Sequence, residues 1–215
     1  MNFTSPHVIP YQGSKRKLAN QILSFVKFSP KNLFEPFAGS AAITLMAASR
    51  NLAGHYVIGD KFEPLALLWE MIVNDPKKLI SEYTTIWNNQ LSDPSNYYNF
   101  IREEFNKNKM PAHLLYLIAR CVKNSIRFNG QGEFNQSPDH RRLGTKPDKI
   151  AHEILRASQI LKDKVTIKSD DYRKLLAKST SDDIVYLDPP WQGTSGNRDP
   201  RYAFQLDLEE LVNEL

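Results

Sequence analysis

The sequence predicts an α/β protein built on one mainly parallel sheet, and three observations predict it. Short apolar runs at 33–37, 56–60, 165–168 and 184–187 alternate with helical periodicity, the order of a parallel sheet crossed by helices. Each run is closely followed by an acid or a glycine turn, and in open α/β sheets ligands bind at the carboxyl edge of the strands. The last run, Ile184-Val185-Tyr186-Leu187, stops at Asp188-Pro189-Pro190-Trp191. Two prolines cannot continue a ladder, so the chain turns out of the sheet there. That leaves a carboxylate, two residues without N–H donors and an indole at the strand end.

Residues 1–17 read as extended, with Pro6, Pro10 and a turn at Gly13-Ser14. Leu18, Ile22, Leu23 and the Phe25-Val26 pair predict a helix over 17–27. Strand 33–37 runs through the small residues 38–42 into a helix reaching about 50. Strand 56–60 ends in Asp60. From 63 to 123 the pattern is helical, punctuated at Pro76, Pro94 and Pro111. From 124 to 148 it breaks down into Asn, Gly, Gln, Arg and Pro, with Phe128 and Phe134 between them. The stretch 63–148 is too long for one crossover, so it is read as an inserted helical subdomain with an irregular hairpin. A helix over 148–161, strand 165–168, a helix over 172–178 and strand 184–187 follow. A last helix begins near 206–208. A helix cannot close a parallel sheet, so the C-terminal strands of the sheet are expected to be missing.

Composition bounds the function. The 215 residues are 41% hydrophobic, enough for one sizeable core with a subdomain. No run approaches the roughly 18 consecutive apolar residues of a membrane span, and the first six residues lack the basic-then-apolar order of a signal peptide. The single cysteine, Cys121, excludes an internal disulfide and a multi-cysteine metal site; its apolar helical surroundings predict a small core residue. These features predict a cytoplasmic protein with no membrane partner. The net charge of +4 is compatible with nucleic acid, and basic residues cluster at Lys15-Arg16-Lys17 and between Arg141-Arg142 and Lys146. The five histidines are scattered and no metal is expected.

Glu35-Pro36-Phe37-Ala38-Gly39-Ser40 is a strand, a tight glycine turn and a helix start, the geometry of an adenosine-type cofactor site or of an ordinary βα turn. It is neither GxGxxG nor a phosphate loop. Asp60, about twenty residues on, suits a pair of ribose hydroxyls or a helix cap. Asp170-Asp171 suits an adenine amino group or, equally, a cap.

Taken together these segments resemble the Dam-type DNA adenine-N6 methyltransferases (D12 class, alpha group). The resemblance runs through Pro10-Tyr11-Gln12-Gly13-Ser14-Lys15, Phe34-Glu35-Pro36-Phe37-Ala38-Gly39, Gly59-Asp60 and Asp188-Pro189-Pro190-Trp191, in the family's order. The segments 100–106, 127–129 and 132–135 also look like the family's intervening region. The resemblance implies a Rossmann-like class I methyltransferase sheet, S-adenosylmethionine as cofactor and double-stranded DNA as partner. It implies a catalytic domain from 1–62 and 149–215, incomplete at its C-terminus, and a target-recognition subdomain from 63–148. Tyr11 and Lys15 would lie at the cofactor and target pocket. Glu35, Phe37 and Gly39 would line the methionine moiety, Asp60 would take the ribose, and Asp171 the cofactor adenine. Asp188, Pro189, Pro190 and Trp191 would hold the target base, with Asp188 also bordering the cofactor. Many relatives have glycine where this chain has Ser14 and Ala41, and their hairpin is usually one residue longer near 126–127, which leaves the target sequence open.

The chemistry suits the residues. The exocyclic amine of adenine is a poor nucleophile because its lone pair is delocalised. Acceptors at its N–H groups, the Asp188 carboxylate and the Pro189 carbonyl, favour pyramidal nitrogen. A base inside a duplex cannot reach such a pocket and must be flipped out, and Trp191 offers a face to stack it. Asn124, Arg127, Asn129, Asn135, Arg141 and Arg142 are candidate DNA contacts, or members of a solvated polar loop. The loop 192–201 suits a lid or a plain connection. Cytosine-N4 methylation, one half of a split enzyme completed by a second polypeptide, and a DNA-binding module without turnover stay open beside adenine-N6 methylation, as does a restriction–modification setting.

Overall fold

The structure, a computed structural model, describes residues 4–189 and 208–213. Pro190, Trp191 and the loop 192–201 lie outside the described residues.

Strands β1 (Asn32–Glu35), β2 (His55–Gly59), β3 (Val165–Lys168) and β4 (Ile184–Val185) form a four-stranded sheet of order β3-β2-β1-β4. Every pairing is parallel: Leu33 lies opposite Tyr56 and Ile184, and Tyr56 opposite Val165. Side chains alternate across the sheet with period two. Leu33, Tyr56, Ile58 and Ile167 enter the main core, while Phe34, Val57 and Val185 pack with Leu175 on the other face. A one-residue slip would exchange the two sets.

Helix α1 (Ala19–Leu23) follows a 3-10 turn at Lys15–Lys17, and α2 (Ala42–Ser49) connects β1 to β2. Residues 42–48 are all buried, because α2 is wedged between the sheet, α1 and α7 (Pro147–Leu161). Helices α3 (Glu63–Asn74), α4 (Pro76–Asn89), α5 (Pro94–Asn108) and α6 (Pro111–Arg120) fill the stretch between β2 and the irregular segment. The prolines that punctuate the sequence there begin helices, where a missing N–H costs nothing. α3 packs on α6, α7 and β3, and α4 on α6 and α7. One continuous core runs from Val8 to Ile167 through these helices and the sheet. Cys121 is a buried free thiol in it, as expected. Helices α8 (Tyr172–Leu176) and α9 (Leu208–Asn213) complete the described elements.

Three expectations are corrected. The helix expected over 17–27 is five residues of α1, because of its apolar stripe only Leu23 is buried while Leu18 and Phe25 face solvent. The first strand ends at Glu35 rather than 37, where Pro36 has no N–H to offer the ladder. The last is confined to Ile184–Val185, although the Tyr186 N–H still reaches the Phe34 carbonyl at 2.8 Å.

Candidate active site at the carboxyl edge of the sheet

Because all four strands run parallel, Glu35, Asp60, Asp171 and Asp188 follow strands that end on the same edge. The Gly39 turn, the first of these strand ends, is held from three sides. The Ala38 N–H donates to the Gly59 carbonyl at 2.8 Å. The Gly39 N–H donates to Asp60 Oδ2 at 3.1 Å. The buried Trp69 indole donates to the Gly39 carbonyl at 3.0 Å. Gly39 itself has φ +49°, a region L side chains rarely adopt, and its open face looks onto the Tyr11 ring, 3.6 Å from where a Cβ would sit.

Asp60 joins that turn to the next helix, since its Oδ1 accepts the Phe62 N–H at 2.9 Å at the start of α3. Burial raises its pKa to about 6, against the hydrogen bonds from Phe62 and Gly39. Glu35 is buried and turns under α2. Its Oε2 accepts the Thr44 N–H at 2.8 Å and the Thr44 hydroxyl at 2.6 Å. The N-cap position of α2 is Ala41, which has no side-chain acceptor, so Glu35 supplies from β1 the acceptor that a capping residue would. Burial pushes the Glu35 carboxyl up to about 7, with the charge of Asp188 adding to the rise.

Asp188, beyond β4, meets the Lys15 ammonium in an ion pair. Lys15 comes from the loop that begins at Tyr11, where Gly13 has φ +88°. This loop is pinned to the glycine turn by a 2.8 Å hydrogen bond from the Ser40 hydroxyl to that of Ser14. Asp171 caps α8, accepting the Arg173 N–H at 3.2 Å, and pairs with Lys61 at 3.0 Å. Burial alone would raise its pKa, but Lys61, the Arg173 N–H and the Arg173 charge hold the carboxyl below its ordinary value. Phe37 packs on Tyr172 with ring centroids 5.3 Å apart. The Tyr172 hydroxyl is buried without a hydrogen-bond partner among the described residues.

The structure thus brings Tyr11, Lys15, Glu35, Phe37, Gly39, Asp60, Asp171, Asp188 and Pro189 to one edge of the sheet. Trp69 was missed by sequence reading, since in sequence it is only one more apolar residue of α3.

The polar segment after α6 forms a short hairpin through an antiparallel bridge between Phe128 and Phe134. Arg127 and Asn135 are exposed on it. Asn129 Oδ1 accepts the Gln131 and Glu133 N–H groups across its turn, and Phe128 packs edge-on against Phe62 at 5.1 Å. Asn124 binds the end of α6 instead of facing outward. Arg141 and Arg142 both pair with Asp139, at 3.0 and 3.1 Å. The side-chain and backbone hydrogen bonds from Arg141 are the main reason the Asp139 carboxyl is held well below its usual range. A shallow cavity of about 370 Å³, lined by Phe28, Ser29, Lys31, Ser181 and Asp182, sits at the opposite, amino edge, before β1 and β4. Among the described residues no group of three or more His, Cys, Asp or Glu is placed to hold a metal, and no helix is long and apolar enough to cross a membrane.

The chain is 29% identical over 175 residues to the type II methyltransferase M.MjaIII of Methanocaldococcus jannaschii, covering 75% of this chain and 59% of that protein. It is 25% identical over 193 residues to the retron Ec67 DNA adenine methylase of Escherichia coli, covering 87% and 64%. It is 24% identical over 163 residues to the DNA adenine methylase of Serratia marcescens, covering 74% and 57%. In each case the match spans roughly three fifths of the relative's own length. Residues 11–205, which carry all the strand-end groups described above, match the model of one family: the chain belongs to the D12 class N6 adenine-specific DNA methyltransferases.

Proposed function

We propose that this chain transfers a methyl group from S-adenosylmethionine to N6 of an adenine flipped out of duplex DNA. The observation that carries the reading is the placement of Asp188, paired with Lys15, on the same sheet edge as the Gly39 turn and Asp60. When bound, S-adenosylmethionine supplies an electrophilic methyl carbon on a sulfonium. The residues present fit it. The Tyr11 ring, lying over the bare Cα of Gly39, offers a flat apolar face beside the turn. Each Asp60 oxygen takes one backbone N–H, which leaves lone pairs for two ribose hydroxyls.

Toward the base, the ion pair engages Asp188 Oδ2 and leaves Oδ1 to accept an amine N–H. The Pro189 carbonyl offers a second acceptor, and proline brings no N–H to compete for the amine. Two acceptors at one amine favour pyramidal nitrogen and free its lone pair for attack. As positive charge builds on nitrogen, the fixed carboxylate stabilises it, an effect of about 3 kcal/mol for one preorganised group. Trp191 would stack the extruded ring. The hairpin carrying Arg127, Asn129 and Asn135, with Arg141 and Arg142 beyond it, would face the duplex as part of an inserted recognition unit spanning 63–148.

The test exposes unmethylated genomic DNA to the protein with isotopically labelled donor and identifies the modified nucleosides by mass spectrometry. N6-methyladenine, abolished in Asp188→Ala while DNA affinity is largely kept, supports the reading. N4-methylcytosine without N6-methyladenine, or no label in DNA, overturns it.

A further inference from the structure

Asn124 lies where the sequence suggests a DNA contact, yet its side chain is turned inward. Its amide nitrogen donates to the Ile118 carbonyl at 2.7 Å and lies 3.4 Å from that of Ala119. These are carbonyls of the last turn of α6, which need partners from outside the helix. Lys123 and Asn124 both take left-handed backbone, with φ 58° and 52°. Consecutive non-glycine residues stay there only where the surroundings over-determine them. In this conformation the Asn124 carbonyl accepts the Gln12 N–H at 3.0 Å.

Gln12 belongs to the loop that carries the site. One residue before it, Tyr11 covers Gly39; two after it, Ser14 binds Ser40; three after it, Lys15 binds Asp188. On the other side of Asn124 the chain enters the hairpin, where the Arg127 carbonyl accepts the Asn135 N–H at 3.0 Å. The Asn124 carbonyl therefore joins the segment leading into the exposed hairpin to the loop that sets the Lys15–Asp188 pair.

We propose that Asn124 is a positioning residue, which reads no base but transmits the placement of the hairpin on DNA to Lys15 and Asp188 through the Gln12 N–H. The inference rests on the methyl-transfer reading and deepens it. It assigns to a backbone conformation, rather than to a side chain in the groove, the link between recognition and turnover.

Two variants separate the roles. Asn124→Gly and Asn124→Ala delete the same amide, but only glycine accepts φ near 52° without strain. A positioning role predicts that kcat falls about tenfold or more in Asn124→Ala and no more than about threefold in Asn124→Gly, with KM for duplex DNA within about threefold in both. It also predicts that, in free protein, the Gln12 amide exchanges with solvent about tenfold faster in Asn124→Ala than in wild type, while the Asn129 and Asn135 amides keep their protection. A base contact predicts equal rises in KM for both variants and unchanged exchange at Gln12, which would overturn the proposal. A loss seen only in Tm, with kcat and Gln12 exchange as in wild type, would overturn it as well. If wild type itself transfers no methyl group, the methyltransferase reading fails and this one with it. If wild type is active and the variants match it, the coupling alone fails.

Discussion

Lys15 and Asp188 form an ion pair although 173 positions separate them in the chain. One stands in the loop before α1 and the other beyond the last strand of the sheet. Both side chains keep 29% of their exposure, so the pair contributes little to folding, within about 1 kcal/mol. Its effect is on the site, where it fixes the carboxylate that would accept the target amine. Lys15→Met should lower kcat for methyl transfer about 10–100-fold and leave the thermal midpoint within a few degrees. Lys15→Arg, which keeps the charge, should recover part of the loss. Steady-state kinetics beside thermal melts check this; equal activity in Lys15→Met and wild type would sink it.

Glu35 should make the protein less stable as pH rises through the neutral range. Burial and the charge of Asp188 raise its carboxyl from 4.5 to about 7, and burial raises Asp60 to about 6. A carboxyl raised on folding binds its proton more tightly in the folded state. Its contribution is complete below the unfolded value and is lost as pH climbs through the folded one. His7 and His113, whose burial lowers their pKa, tilt the curve the other way below about 6.5. The clean readout is therefore the difference between wild type and Glu35→Gln. Between pH 4.5 and 7.5 that difference should move in favour of the variant, by roughly 3 kcal/mol at most. Melts at three pH values would show it, and a constant difference would mean that Glu35 does not titrate there.

Gly59 is the tightest glycine described. A Cβ there would come within 2.2 Å of Leu175 Cδ1 and 3.2 Å of the Pro36 Cα. Gly59→Ala should cost about 1–3 kcal/mol by overpacking, read from denaturant unfolding. Leu175→Ala alone should also destabilise, because it empties a buried site. The double variant should lose less than the two costs added, since the smaller side chain makes room for the new methyl. Strict additivity would contradict the geometry.

What was legible in the sequence was whatever depends on neighbours in the chain. The strand runs, the helix-starting prolines and the acids beyond strand ends are local patterns, and the parallel order follows from their alternation. The helix over 17–27 was misread because apolar spacing predicts a buried face, and Leu18 and Phe25 have nothing to bury against among the described residues. Glu35 as the cap of α2, and Trp69 as the donor to Gly39, were invisible because their partners lie 9 and 30 residues away. The inward turn of Asn124 was invisible for another reason: an asparagine in a polar loop has the same composition whether it faces a groove or a helix end.

The pairing of Arg141 and Arg142 with Asp139 makes a last prediction about DNA. Arg127 is exposed on the hairpin and has no ion-pair partner among the described residues, so an Arg127→Ala variant should weaken duplex binding evenly across sequences if it meets phosphate. The slope of log K against log salt should then shrink by about 0.9, the release of one condensed counterion. Arg141 and Arg142 differ because Asp139 already neutralises part of their charge and fixes their direction. Asp139→Asn removes a negative charge from beside both guanidiniums, which should tighten non-specific binding at low salt. It also replaces one of the two acceptor oxygens that orient them with an NH2 donor, so the preference for the target sequence over random duplex should fall. Fluorescence anisotropy over a salt series, with specific and random duplexes, separates the two effects. Weaker binding to both duplexes in Asp139→Asn would show that orientation by the carboxylate outweighs the charge it cancels.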